Sequence, residues 1–397
     1  MVNKFNEENS KDGIKVTYSS YRRIFKTVGL KFKSPATDTC GKCDEFQSKI
    51  KFAKSDDEKA SLSREHELHL RKAQAGYDLK NKFKKISREE KTVKCLIFDL
   101  EQVLPTPNVS CGKAYYWRQL STYNLTVVDA STKITYNYMW HEGEAARGAS
   151  EIASCLFNHI MDEISDEVTH LYLFSDCCSG QNRNSIIAAM FLTLLETHSS
   201  LKTINHIFLL PGHTRMECDS RYSRIEAKKE KSGLISVPSE WYALVRSVSD
   251  TYKVIEMKDK FIRFRSFLEK DGPLIMRYKL EDGTKMYWSE MHWFQYQASL
   301  RGKVQVKSSF AEDSAMSTLN MIRGTGKNRQ LPANWFSGLR PEAPGHPISQ
   351  AKMNDLLSLL PYVDETYHDF YKSLKVDGQI DEDCDPDLPS DNDEFYL

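Results

Sequence analysis

The hydrophobic pattern changes period near residue 90. Upstream, apolar positions recur at helical spacing. Val16 to Phe32 carries Tyr21, Ile24, Phe25 and Val28 on one side and meets Gly29 as a stop. A charged helix over 56–88 follows, with Leu62, Leu68, Ala75 and Leu79 as its thin apolar stripe. From Val93 the chain turns β-rich. VKCLIFDL reads as a buried strand, and a second strand falls within AYYWRQLSTYNLTVVDA. DASTK is a turn and ITYNYMWH a third strand. SEIASCLFNHIMDEI then puts Ile152, Leu156, Ile160 and Ile164 on one helix face. The strand HLYLFSD, the helix NSIIAAMFLTLLETH, the strand INHIFLLP and a helix over 217–231 complete the run.

Three strands able to pair antiparallel, followed by alternating helices and strands, give an α/β chain with a mixed sheet (α+β in its pairing). The order is that of a ribonuclease-H-like core. The expected organisation is a helical region over 1–90, the core over 91–235, a β-rich extension over 236–330, a helical segment over 331–376 and a disordered acidic tail over 377–397. In the extension YKVIEM, FIRFRSFL, LIMRYKL and KMYWSEM read as strands, and 306–345 reads as irregular. The closing helical pair, with Pro361 between its members, comes from SQAKMNDLLSLLPYV and ETYHDFYKSL. Residues 1–14 read as disordered.

Acidic residues stand at the ends of the buried strands. Asp99 closes the first and Asp176 the fourth, and Glu217, Asp219 and Glu226 follow the fifth. Carboxylates on neighbouring strand ends meet in space, and three of them suit Mg²⁺ or Mn²⁺, the ions of phosphodiester chemistry. Asp99, Asp176 and Asp219 are the candidate ligands. Glu226 is the alternative third acid, on the same helix face as Asp219. His213, between strand five and that helix, is a candidate ligand, proton shuttle or phosphate contact. Gln181, Asn182 and Arg183 lie near a helix start, where backbone N–H groups attract an anion, and they are the candidate phosphate site. The plain alternatives are solvated surface acids and an ordinary helix cap.

Cys40 and Cys43 form a Cys-x2-Cys pair, and His66 and His69 share a helix face further on. Two thiolates and two imidazoles make a tetrahedral set for structural Zn²⁺, although the gap exceeds that of short zinc fingers. The interleaved aromatics of AYYWRQLSTYN could stack on bases around Arg118, but sheet core is the stronger reading.

Formal net charge is zero, so no global field advertises nucleic-acid binding. The balance is partly a cancellation. The stretches 79–94 and 224–231 are basic, whereas the tail from Asp377 carries nine acidic residues and no Lys or Arg. The N-terminus has no secretory signal and no apolar run reaches the length of a bilayer span. Nine cysteines then read as thiols plus one metal site, in cytosol or nucleus.

SDCCSGQNRN, PGHTRMECDSRYSRIE, FDLEQVLPTP with YYWRQLSTYN, DTCGKCDEF, and the closing ISQAKMNDLLSLLPYVDETYHDFYKSL together resemble a transposon-derived group spread through animal genomes. That group is catalogued mostly as a domain of unknown function, and the likeness covers roughly residues 15–375. It resembles transposases of the ribonuclease-H-like superfamily. The resemblance implies a metal-dependent nuclease or strand-transferase (DDE/D type) with Asp99, Asp176, His213 and Asp219 at the matching positions. It implies nucleic acid as partner, DNA before RNA, and favours the nucleus. An inactive descendant that binds nucleic acid, or a zinc-stabilised protein whose acidic tail recruits protein partners, is the competing expectation. An oligomer is compatible with each. Family members often carry a longer region before the Cys pair, so DNA binding without base readout is expected here.

Overall fold

The computed structural model describes residues 5–6, 15–28, 39–324 and 329–377. Expectations for Gly29, for most of residues 1–14 and for the tail beyond Asp377 lie outside them. Three helices lead: α1 (Tyr18–Thr27), α2 (Gly41–Lys51) and α3 (Asp56–Glu89). Strands β1 (Val93–Leu100), β2 (Leu104–Thr106), β3 (Leu120–Asp129) and β4 (Thr135–His141) follow. Then come α4 (Ala149–Glu163), β5 (His170–Ser175), α5 (Ser185–Thr197), β6 (Thr203–Phe208) and α6 (Glu217–Lys229). The rest contributes α7 (Pro238–Arg246), β7 (Tyr252–Glu256), β8 (Trp293–Gln297), β9 (Lys303–Lys307) and β10 (Ser317–Asn320). After β11 (Ile348–Ser349) come α8 (Gln350–Leu359), α9 (His368–Lys372) and β12 (Val376–Asp377).

One mixed sheet runs β10-β9-β8-β6-β5-β1-β3-β4-β7, with β2 on β3. β1, β3 and β4 form an antiparallel meander, while β5 and β6 continue parallel to β1. β1 is thus central, which its near-unbroken apolar run requires. Its side chains alternate. Leu96 and Phe98 join the core that holds α4 and α5, and Cys95 and Ile97 face Leu79 and Phe83 of α3. The architecture is three layers, with α4 and α5 on one face and α3 and α6 on the other. The apolar face expected for α4 is real: Ile152, Leu156 and Ile160 are fully buried.

Three expectations need correction. The stripe of α3 is not the expected one, because Leu68 and Ala75 are exposed. The buried residues are Gly76, Leu79, Lys80, Phe83 and Ser87, with Gly76 leaving room for the Phe310 ring. Residues 236–330 extend the main sheet at both edges, as a β-rich extension can, but largely through other strands than those expected. β7 joins the outer edge beside β4, and β8 to β10 extend the opposite edge beyond β6. Within that stretch FIRFRSFL is a 3-10 turn at Phe264–Leu268, because Phe261, Phe264 and Phe267 are buried at three-residue spacing. LIMRYKL makes isolated bridges at Leu274 and Lys279, and KMYWSEM a 3-10 turn at Trp288–Glu290. The strands lie instead at WFQYQ, KVQVK and STLN, and α7 starts on Pro238, a residue suited to a first helical turn.

Much of the basic stretch over 79–94 is paired within the chain, Lys80, Lys84 and Lys94 in buried or half-buried positions and Lys82 and Lys85 at the surface. Lys82 pairs with Glu312, Lys84 with Glu217, Lys85 with Glu89 and Lys94 with Asp129. Lys80 is wholly buried and donates to the carbonyls of Thr214 (3.4 Å) and Arg215 (2.5 Å) and to Glu217 (3.2 Å). Burial pushes Glu217 up, but Lys80 and Lys84 outweigh it and hold the carboxyl below its ordinary range. The aromatic stretch is mostly core from Leu120 onward, and Arg118 pairs with Asp355.

Candidate functional site

Two side-chain groups gather on the α3 and α6 side of the sheet. In the first, Asp99 sits near the end of β1, Asp176 just beyond β5, and Asp219 in the first turn of α6. The topology makes the first two neighbours, because β1 and β5 pair directly. α6 is docked on β1 by the Tyr222 hydroxyl, which donates to the Asp99 carbonyl at 2.6 Å. Burial raises Asp99 well above the ordinary carboxylate range, and the charges of Asp176 and then Asp219 raise it further. Such repulsion marks carboxylates placed near one another with their charge only partly offset. Asp176 is also raised, by burial, and is held down by Asn182, the Cys178 N–H and Arg183. Its Oδ1 accepts from Asn182 and, at 3.3 Å, from Cys178. Asp219 accepts the Met216 N–H at 3.1 Å.

Glu226 does not share that position. Its charge acts on Glu101, and its side chain pairs with Lys229 at 3.3 Å. Glu101 is buried and accepts from Asn124 at 2.8 Å. Arg147, in the loop before α4, was not singled out by the sequence reading, yet its positive charge acts on Asp99. A lone Arg among small residues carries no spacing signal that would have found it.

The backbone N–H groups expected to hold a phosphate before α5 are already used. The N–H groups of Gln181, Asn182 and Arg183 all point to the Cys178 carbonyl at 2.8–3.3 Å. Asn184 caps the next two, Ile186 and Ile187. Asn182 is 1 % exposed and serves Asp176, so it orients a carboxylate and meets no phosphate. The Arg183 side chain is buried near the Phe208 ring, and its charge acts on Asp176.

The second group corrects both the expected zinc set and the expected role of His213. Cys40, Cys43, His69 and His213 bring one ligand atom each to within 4.8 Å of one another; among the described residues the acids do not close into such a set. Cys40 Sγ lies 3.3 Å from His69 Nε2, and Cys43 Sγ lies 3.2 Å from His213 Nε2. The two Nε2 atoms are 3.2 Å apart. A tetrahedral zinc with bonds of about 2.0–2.1 Å to N and about 2.3 Å to S has edges of about 3.3–3.8 Å, and these three distances come close to its shorter edges. His66 is excluded: it stacks on Phe46 with ring centroids 5.5 Å apart, and its Nε2 is buried without a partner. His213 is therefore drawn away from the acids. Burial lowers His69 and His213, and burial with Cys40 close by raises Cys43.

Local sequence builds this group. Cys40 is the N-cap of α2 and Cys43 lies in its first turn, so one short stretch presents both sulfurs. Pro211-Gly212 turns the chain after β6 and presents His213. Gly212 has φ +70°, and a Cβ there would fall 2.5 Å from Cys40 Cα, so no other residue fits.

Residues 118–309 match a family described as a domain of unknown function, DUF7869. No curated protein and no solved structure matches the chain. No helix among the described residues is long and apolar enough to cross a membrane.

Glu101 gives a measurable pH effect. Burial carries its carboxyl up to about 8, against an unfolded value near 4.3. Between those values the native state binds the extra proton, so stability falls as pH rises. Buried His141 and His292, lowered to about 4, act in the opposite sense only below about pH 6.5. From pH 6.5 to 8 the protein should therefore lose about 1–2 kcal/mol. Denaturant melts at the two pH values would show it. Glu101→Gln should reduce the slope, with raised Asp99 acting in the same sense; an equal slope in the variant refutes the assignment.

Proposed function

We propose that this chain is a transposase-derived protein on a ribonuclease-H-like fold, with a metal-dependent phosphodiester site at Asp99, Asp176 and Asp219. The observation that carries the reading is their placement: central strand, end of the adjacent parallel strand, and first turn of the helix after the next strand, with the charges of Asp176 and Asp219 both acting on buried Asp99. An oxygen-only donor set on rigid elements suits Mg²⁺ or Mn²⁺. When bound, such ions stabilise charge on a reacting phosphate and acidify water. Asn182 fixes Asp176, Tyr222 fixes α6 on β1, and Arg147 offsets part of the negative charge. Zn²⁺ at Cys40, Cys43, His69 and His213 is a structural element of the same reading. The proposed partner is nucleic acid, DNA first, and the proposed location the nucleus.

A non-catalytic descendant is the second reading. It is favoured by the internal hydrogen bonds already made by Asp176 and Asp219. Incubation with supercoiled plasmid separates the two. The first expects weak, sequence-tolerant nicking with Mn²⁺ or Mg²⁺ and none in chelator. Protein that binds the plasmid and leaves it intact with either ion moves the conclusion to the second.

A further inference from the structure

A cavity of about 610 Å³ opens between the Cys/His group and the turn after β5. Lys42 of α2, Lys72 of α3 and Arg183 bring positive charge to its wall, beside neutral His292 and one acid, Glu290. Arg183 is the unusual member. The residue is 9 % exposed, yet among the described residues its Nε and Nη1 have no hydrogen-bond partner. Its guanidinium carbon stands 5.7 Å from the centre of the Phe208 ring. A buried guanidinium without an acceptor is costly to keep. Its neighbours add charge of the same sign. Burial lowers Lys72 and Lys42 lowers it further, while burial, Lys72 and Arg183 together hold His292 at about 4. Basic groups converging on a space with so little acid are self-repulsive until an anion enters.

We propose that this cavity seats a phosphate group of a nucleic acid strand, with Arg183 as the forked donor and Lys72 and Lys42 as flanking point charges. The proposal rests on the phosphodiester reading of the acids, because the charge of Arg183 also acts on Asp176 and places the seat beside them. It differs from a helix-start site, whose N–H groups are already spent.

Fluorescence anisotropy with a labelled single-stranded oligonucleotide, without added divalent ion, tests the seat. Arg183→Gln should weaken binding about ten- to a hundredfold and reduce the salt slope of log affinity by about one. Its melting temperature should be unchanged or raised, because an unpaired buried charge is removed. Lys72→Gln should give a smaller loss with a similar change of slope. Inorganic phosphate at millimolar concentration should displace the oligonucleotide from wild type and not from Arg183→Gln. Wild-type affinity and slope in both variants would overturn the seat, whatever the acids do to DNA. Arg183-dependent binding of inorganic phosphate without oligonucleotide binding would assign the cavity to a free phosphate and overturn the nucleic-acid proposal. Arg183-dependent oligonucleotide binding in a protein that never cleaves keeps the seat and removes the catalytic reading instead.

Discussion

His213→Ala is expected to abolish zinc binding by the purified chain, whereas His66→Ala is expected to retain it. Elemental analysis of wild type, His213→Ala, His66→Ala and Cys43→Ser reads the result directly, with one zinc per chain in wild type. The argument is geometric. His213 Nε2 completes the set 3.2 Å from Cys43 Sγ and 3.2 Å from His69 Nε2, while His66 faces Phe46. Replacing either His213 or Cys43 leaves three donors and an open side, so affinity falls steeply. The stability effect should also be large. Structural zinc contributes its binding free energy to folding, and a few kcal/mol of net loss in a domain of this size is a fall in Tm on the order of 5–10 °C. Equal zinc in wild type and His213→Ala, or none in wild type, ends this account of the cluster.

Asp176→Asn is expected to abolish metal-dependent nicking while leaving fold and oligonucleotide binding in place. The substitution keeps volume and removes one negative charge that sits against Asp99. Residues that merely support a metal ligand cost about 10–100-fold when lost, so a ligand itself should cost at least about a hundredfold. Asn182→Ala, which removes that support, should fall within the smaller range. The removed charge also relieves Asp99, so the variant should melt no lower than wild type. Nicking by Asp176→Asn at the wild-type rate assigns the cleavage to another site or another protein.

How much of this was legible in the sequence depended on how local the information was. The strands and helices from Val93 to Lys229 follow from runs such as LYLF and from the face of α4, because burial on both sides of a central strand leaves an unbroken apolar signature. Asp99, Asp176 and Asp219 could be placed because strand ends are readable. Cys40, Cys43 and His69 were found by spacing. His213 was found as a residue and given the wrong company, since nothing local says that a loop after β6 meets a helix begun far upstream. The extension misled for a different reason. Phe261, Phe264 and Phe267 alternate with polar residues almost as a strand would, yet their three-residue spacing fits a 3-10 turn. WFQYQ and KVQVK do alternate and were the stronger signal. The backbone half of the phosphate reading lacks hydrogen-bond supply, because a single carbonyl, that of Cys178, takes the N–H groups of Gln181, Asn182 and Arg183.

α3 grips the loop before α6 twice. His69 meets His213, and Lys80 holds Thr214, Arg215 and Glu217. Positions 69 and 80 are three helical turns apart on one side of the rod. Further along, Phe83 stacks on Tyr172 of β5 with ring centroids 3.6 Å apart. The composition boundary near residue 90 is therefore no seam for unfolding. Slowly exchanging amides should span α3 and β1 together as one cooperative unit, and a protease that nicks near residue 90 would leave two fragments that stay associated until denatured.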